Sequence, residues 1–520
     1  MQKILKNERG SVALFVLLSA LFFLVVVTGV AVSFKNKEAQ IDSQFEKIKL
    51  SYEKDANQVY DEVIKNNIDI STDYGTIEII WLQGNSNTIT STPNQPNMYN
   101  GFEKVAWRDN GTEFTPTQNS EWYSYNSITG KEDNTTSKWA NAKNTADGSY
   151  FVWIPRFAYR ITYWDSAERN NITGYFDGRG MVDVDGNIVT KDVNGEKKQI
   201  TLDAGINTVT KNGIQYIVHP AFDNNVNNGG WRNKLSGFWV AKYEMSREDY
   251  DSTSNTWKPT TISYGGGNEE TNNTTTRTVS KPNVTSWRNI KIGFSYTNSY
   301  NYDRTKESHL MKNSEWGAVA YLTHSQYGRN GHEISVNQST DFITGAGRGL
   351  GTNDIYNDSY GTDIGTGGPT LNQKYNGTIG KASSSTGNIH GIYDLSGGAH
   401  EYVASFDEKS TSIKLTENGW AELGINKAST EYATAYNNET DTEYGILVYN
   451  VGKVGDATKE VMRKTNFNNW FSDYGRFARL SVPFFRRGGY CKAVYNSGVF
   501  YSCSAEGDGT GTSFRIVLAQ

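Results

Sequence analysis

The chain opens with a basic stretch, Met1 to Gly10, carrying Lys3, Lys6 and Arg9, and then runs from Ser11 to Phe34 as SVALFVLLSALFFLVVVTGVAVSF without a charge. At about 1.5 Å per residue, a helix of that length crosses a hydrocarbon layer of roughly 30 Å. The pattern predicts a single transmembrane helix. A cleaved secretory signal is the competing reading, but its apolar part is shorter and closes on a small-residue cleavage site. Lys35 and Lys37 follow the span, so charge orients it only weakly; the N-terminus is taken as internal. Ile41, Phe45, Ile48, Tyr52, Ala56, Val59 and Val63 then recur at steps of three and four, with Asp, Glu and Lys between them. That spacing puts one apolar stripe on a helical stalk, packed either on a partner stalk as a short coiled coil or on its own chain's domain.

Beyond the stalk the period changes. From Ile68 to Gly148 the sequence is rich in Asn, Thr and Ser, with Trp81, Trp107, Trp122 and Trp139 scattered among turn residues, which reads as a small β extension. Phe157, Tyr159, Ile161 and Tyr163 alternate with smaller or polar residues, and so do Phe514, Ile516 and Leu518. Alternation of this kind marks half-buried strands. Between them, Asn313 or Ser314 is placed to cap a helix bearing Trp316, Val319 and Ala320 on one face. Regions 165–215, 325–386 and 406–460 are rich in Gly, Asn, Asp, Ser and Thr and read as long surface loops. The expected division is leader and transmembrane helix 1–34, stalk 35–67, β extension 68–148 and an α+β domain 149–520.

Composition narrows the function classes. The formal net charge is −5 with charged residues at 21%, and no dense Lys/Arg stripe is present, so nucleic acid is not an expected partner. The 32 Tyr, 22 Phe, 13 Trp and 51 Gly favour strands joined by turns. Only two cysteines occur, Cys491 and Cys503, too few for a disulfide framework, though one local bridge between them stays open.

Candidate chemistry is sparse. The six histidines, His219, His309, His324, His332, His390 and His400, show no HExxH spacing, and His332-Glu333 alone reads as a loop pair. Asp183-Val184-Asp185-Gly186-Asn187 resembles half of a calcium loop without its closing Glu, and a DG turn explains it. Gly345, Gly347, Gly349 and Gly351 lack the strand and helix of a phosphate cradle. No Ser/His/Asp set stands out. Neither a catalytic residue, a metal ligand nor a cofactor is expected.

Five blocks in order carry a resemblance. YFVWIPRFAYRI (150–161), GFWVAKYEMS (237–246), LMKNSEWGAVAYL (310–322), GNIHGIYDLSGGAHEYV (387–403) and RRGGYCKAVYNSGVFYSCSAEGDGTGTSFRIVL (486–518) are similar to the signature blocks of the formylglycine-generating enzyme, or sulfatase-modifying factor, family. The resemblance implies an elaborated C-type-lectin-like fold for 149–520. His400 stands where that family carries Trp in G-x-x-W-E. The family's oxidising members place two copper-binding cysteines just after the Gly-Gly pair, four residues apart. Here Cys491 comes two residues after Gly489 and Cys503 twelve later, so the catalytic pattern is not carried over. The first 65 residues resemble type IV pilin-like proteins, although Ser11 to Phe15 lack the acidic residue usual there.

Between Gly489 and Phe514 the composition turns to Tyr, Ser, Gly and small polar residues, the chemistry of adaptable binding loops. The candidate ligand-binding residues are Tyr490, Cys491, Lys492, Val494, Tyr495, Asn496, Ser497, Tyr501, Ser502, Cys503, Glu506 and Asp508. Lectin-fold proteins diversified by retroelements resemble this segment, with an RGG-like start at Arg487–Gly489 and a closing F-R-x-x-L at Phe514–Leu518; a fixed-sequence hairpin is the alternative. The expected protein is a bacterial, single-pass, membrane-anchored receptor or adhesin whose C-terminal domain is extracytoplasmic. Its expected ligand is an extracellular protein or glycan, with self-association through the stalk. A formylglycine-generating-like oxidase and a minor pilin or pilus tip protein are the other two readings.

Overall fold

Aromatic and β-branched side chains at alternate positions build the first of the four sheets found among the described residues. Phe157–Tyr163 pairs antiparallel with Gly75–Leu82 in register from Gly75↔Tyr163 to Trp81↔Phe157. Phe157, Tyr159 and Ile161 enter the main core with Ile77, Ile79 and Trp81. Ala158, on the other face, packs with Ile80, Leu82, Tyr216 and Val218, so this end of the sheet is buried on both faces. In the computed structural model the described residues are 75–128, 132–163, 174–177, 180–183, 205–260, 273–348, 368–412, 418–420, 431–441, 451–461, 469–492, 497–509 and 511–519. All but Glu132 fall in one unit made of Ser71–Thr129 and Asp133–Gln520.

A second seven-stranded sheet runs in the order His309–Leu310, Ile516–Leu518, Gly237–Ala241, Tyr150–Pro155, Asn141–Asn144, Phe102–Trp107, Glu113–Phe114. The strands between residues 75 and 144 are therefore built into sheets that they share with later strands. Ser246–Asp251 forms a three-stranded sheet with Thr256–Pro259 and Thr276–Val279. The fourth sheet has five strands around His400–Asp407. That central strand pairs antiparallel with Phe484–Arg487 on one edge, and in parallel with Thr512–Phe514 and Thr434–Tyr436 on the other. Ser502–Ala505 extends the sheet beyond Phe484–Arg487.

The expected α+β, C-type-lectin-like architecture with a transmembrane helix and stalk is corrected here. The described residues are mostly β-sheet with a few short helices, as the excess of aromatic residues and turn-formers dictates. No helix among them is long and apolar enough to cross a membrane. Ser11–Phe34 and the stripe from Ile41 to Val63 lie outside the described residues.

The longest described helix, Asn313–His324, is buried at all twelve positions. Its start differs from expectation. Lys312 is the capping residue, and Glu315 reaches back to accept from the Lys312 N–H at 2.8 Å. Asn313 and Ser314 instead donate outward, to Tyr436 Oη at 2.8 Å and the Gly229 carbonyl at 2.6 Å. Tertiary partners thus take the side chains that local capping would have used.

The expected terminal strand is two strands in different sheets, Thr512–Phe514 and Ile516–Leu518, separated by Arg515. The Arg515 guanidinium is fully buried and grips Glu401 with two bonds of 2.9 and 2.6 Å. It also donates to the carbonyls of Ala241 at 2.7 Å and Tyr393 at 2.9 Å. One side chain therefore ties the second sheet, the central strand of the fourth and the loop before it. Removing one partner of such a pair leaves a buried charge, at about 3 to 5 kcal/mol. Urea denaturation of Arg515→Met is expected to show a loss of that order, and the Arg515→Met/Glu401→Met double variant should recover much of it.

Candidate functional site

Side chains alternate across a sheet, so the five-stranded sheet has two chemically different faces. Glu401 lies opposite Arg487, and Arg487 opposite Ser502; this face, with Val403 and Phe485, turns into the main core. On the other face Tyr402 lies opposite Arg486, and Arg486 opposite Cys503. His400 and Tyr501, two residues before Tyr402 and Cys503, continue that face.

The rings there form a row. His400 stands 5.2 Å from Tyr490 and 5.4 Å from Tyr501, centroid to centroid, and Tyr501 stands 5.9 Å from Tyr474. Successive planes are tilted by 37°, 30° and 31°. Arg476 lies over the Tyr474 ring at 5.1 Å. The Arg486 guanidinium is partly exposed and contacts the Cys503 sulfur at 4.0 Å. Tyr402 Oη accepts from the Gly509 N–H at 2.9 Å, fixing the turn beside Asp508. Burial holds the His400 imidazole well below its usual range, with Arg486 acting in the same direction, so the ring is neutral at pH 7.

The candidate binding residues divide by burial. Lys492, Glu506 and Asp508 are exposed and Tyr490 is partly exposed. Cys491, Ser497, Tyr501, Ser502 and Cys503 are buried, Tyr501 being 4% exposed with its ring between His400 and Tyr474. The physical reason is that Ser502–Ala505 is a paired strand and not a loop. Val494, Tyr495 and Asn496 lie outside the described residues. Arg486, Tyr402 and Tyr474 belong to the site without having been singled out by sequence. The period-two pattern of His400 and Tyr402 was a usable signal; the opposition of Arg486 and Cys503 depends on a register that sequence does not print.

Both cysteines are free thiols. Cys491 packs with Phe342 and Ala399, and burial, with Glu244 nearby, pushes its thiol up to about 11. It is held as the neutral thiol at pH 7, the unreactive form. Among the described residues no cluster of three or more His, Cys, Asp or Glu is placed to hold a metal.

The site rests on a buried carboxyl group. Glu244 accepts from the Ala399 N–H at 2.8 Å, immediately before His400. Gly398 passes so close to it, at φ +69°, that a Cβ there would sit 2.5 Å from Glu244 Oε1; only glycine fits. The Gly398 carbonyl in turn accepts from the Cys491 N–H at 2.9 Å. Asp394, beneath the same loop, accepts from Asn337 Nδ2 at 2.8 Å and the Gly345 N–H at 2.9 Å. Desolvation, with Asp394 and Glu401 adding repulsion, holds the Glu244 carboxyl far above the usual carboxylate range, and desolvation brings Asp394 up to about 6.

No family model matches the chain, and no curated protein matches it.

The raised Glu244 carboxyl gives a signed pH dependence. The unfolded chain ionises this group at an ordinary pH while the folded chain keeps the proton, so its contribution to stability falls as pH rises above the unfolded value. Glu244→Gln keeps the acceptor for Ala399 and has no proton to lose. In thermal melts between about pH 5 and about pH 8, the variant is expected to gain steadily on the parent; a constant difference across that window counts against a protonated Glu244.

Proposed function

We propose that the chain is a membrane-anchored bacterial surface protein that binds an extracellular ligand through the His400 face of its C-terminal sheet. The observation that carries this reading is the row Tyr490, His400, Tyr501 and Tyr474 beside the partly exposed Arg486. The partly exposed Tyr490 and Tyr474 rings, backed by the buried His400 and Tyr501, supply stiff contact area at low entropic cost, and the exposed Lys492, Glu506 and Asp508 supply polar contacts. The uncharged stretch Ser11 to Phe34 supports anchoring, with the domain on the far side of the bilayer. The order of the five sequence blocks supports descent from relatives of the formylglycine-generating enzyme family, while Cys491, buried as a neutral thiol, gives no support to oxidase chemistry.

A phage-displayed dodecapeptide library panned on the full chain in detergent micelles tests this. Retained clones are expected to lose binding to a Tyr490→Ala/Lys492→Glu/Asp508→Lys variant and to keep it for Arg108→Gln, a substitution away from the face. Recovery of clones indifferent to the triple variant, or of none, rejects the reading.

A further inference from the structure

Two buried arginines of this domain are met by carboxylates. Arg515 grips Glu401, and Arg329 holds Asp133 through two bonds of 2.8 and 2.6 Å. Arg486 differs. Its Nε is buried without a partner, and its hydrogen-bond partner among the described residues is the Cys503 sulfur at 4.0 Å. A thiol sulfur is a weak acceptor, and a guanidinium does not shed its charge to escape the deficit. Beside it His400, 8% exposed, has Nδ1 buried without a partner and its ring between Tyr490 and Tyr501.

From this geometry we propose that the ligand presents an acidic side chain, Asp or Glu of a protein partner, whose carboxylate is taken by the planar fork of Arg486. The inference rests on the binding reading given above and names its ligand. A guanidinium fork matches a carboxylate with two parallel bonds, the strongest polar contact such a surface offers. Aromatic ring edges carry positive partial charge and add to the preference for an anion. The Tyr-, Ser- and Gly-rich surroundings choose a protein over a sugar acid, because that composition is the one protein-binding loops use.

The test uses the full chain in detergent micelles and synthetic versions of peptides retained by the library, each with its Asp and Glu changed in turn to Asn and Gln. One acidic position per peptide is expected to matter, costing about tenfold or more in Kd, the loss of one charge-assisted pair. Arg486→Gln should cost the same and make that peptide change silent, while Arg486→Lys, which keeps charge without the fork, should fall between. Thermal melts matched to the parent exclude misfolding, and Arg486→Lys serves where Arg486→Gln fails to fold. Peptides that depend on Tyr490 and Lys492 but are neutral and indifferent to Arg486 overturn the carboxylate assignment and leave the binding face standing. Peptides indifferent to the whole face overturn both. Displacement by sodium glucuronate with no acidic peptide recovered overturns the protein ligand in favour of an acidic sugar.

Discussion

The buried pair of Arg515 and Glu401 is the constraint on which the C-terminal half depends. Neither charge reaches water, and taking two ions out of solvent costs several kcal/mol each, so the arrangement persists only because every bond is made. Two go to the carboxylate and one each to the carbonyls of Ala241 and Tyr393. Those acceptors belong to different sheets and to the loop between Gly387 and His400. The guanidinium therefore sets where the central strand lies, and the polypeptide changes sheets at the residue that carries it.

The other face of the central strand carries Tyr402, Ala404 and Phe406 into a second buried cluster with Phe484 and Phe514, with His400 at its end. Glu401 points inward, so His400 and Tyr402 point away, and register brings Arg486 and Cys503 alongside them. On the inward face Arg515 meets its carboxylate, while Arg487 donates through Nη2 to the carbonyls of Asp456 and Ala457 at 3.2 and 3.0 Å and keeps Nε and Nη1 buried without a partner. The opposite face holds the partly exposed Arg486 and the buried His400, each with one buried nitrogen that has no partner.

Much of this was legible in the sequence where pattern is local. The alternation of Phe157, Tyr159 and Ile161 gave a strand, and Trp316, Val319 and Ala320 gave a helix, because each pattern repeats within a few residues. The split of the terminal strand at Arg515 was not legible, since Phe514, Ile516 and Leu518 keep one period across a change of sheet. Tyr501 and Cys503 looked like loop residues by composition; pairing with Phe484–Arg487 buries them. Arg486 was not singled out by sequence, because its character lies in a register that brings it a thiol and no carboxylate. The resemblance to a mixed lectin-like fold overestimated helix for the same reason: blocks of sequence fix local turns and not the balance of elements between them.

Native-state hydrogen exchange on the parent and on Glu401→Gln tests the central role of the buried pair most directly. The account predicts that the amides of His400–Asp407, Phe484–Arg487 and Ile516–Leu518 lose protection together in the variant, while those of Gly75–Leu82 and Phe157–Tyr163 keep theirs. Protection lost evenly over all sheets, or unchanged at the central strand, would contradict it.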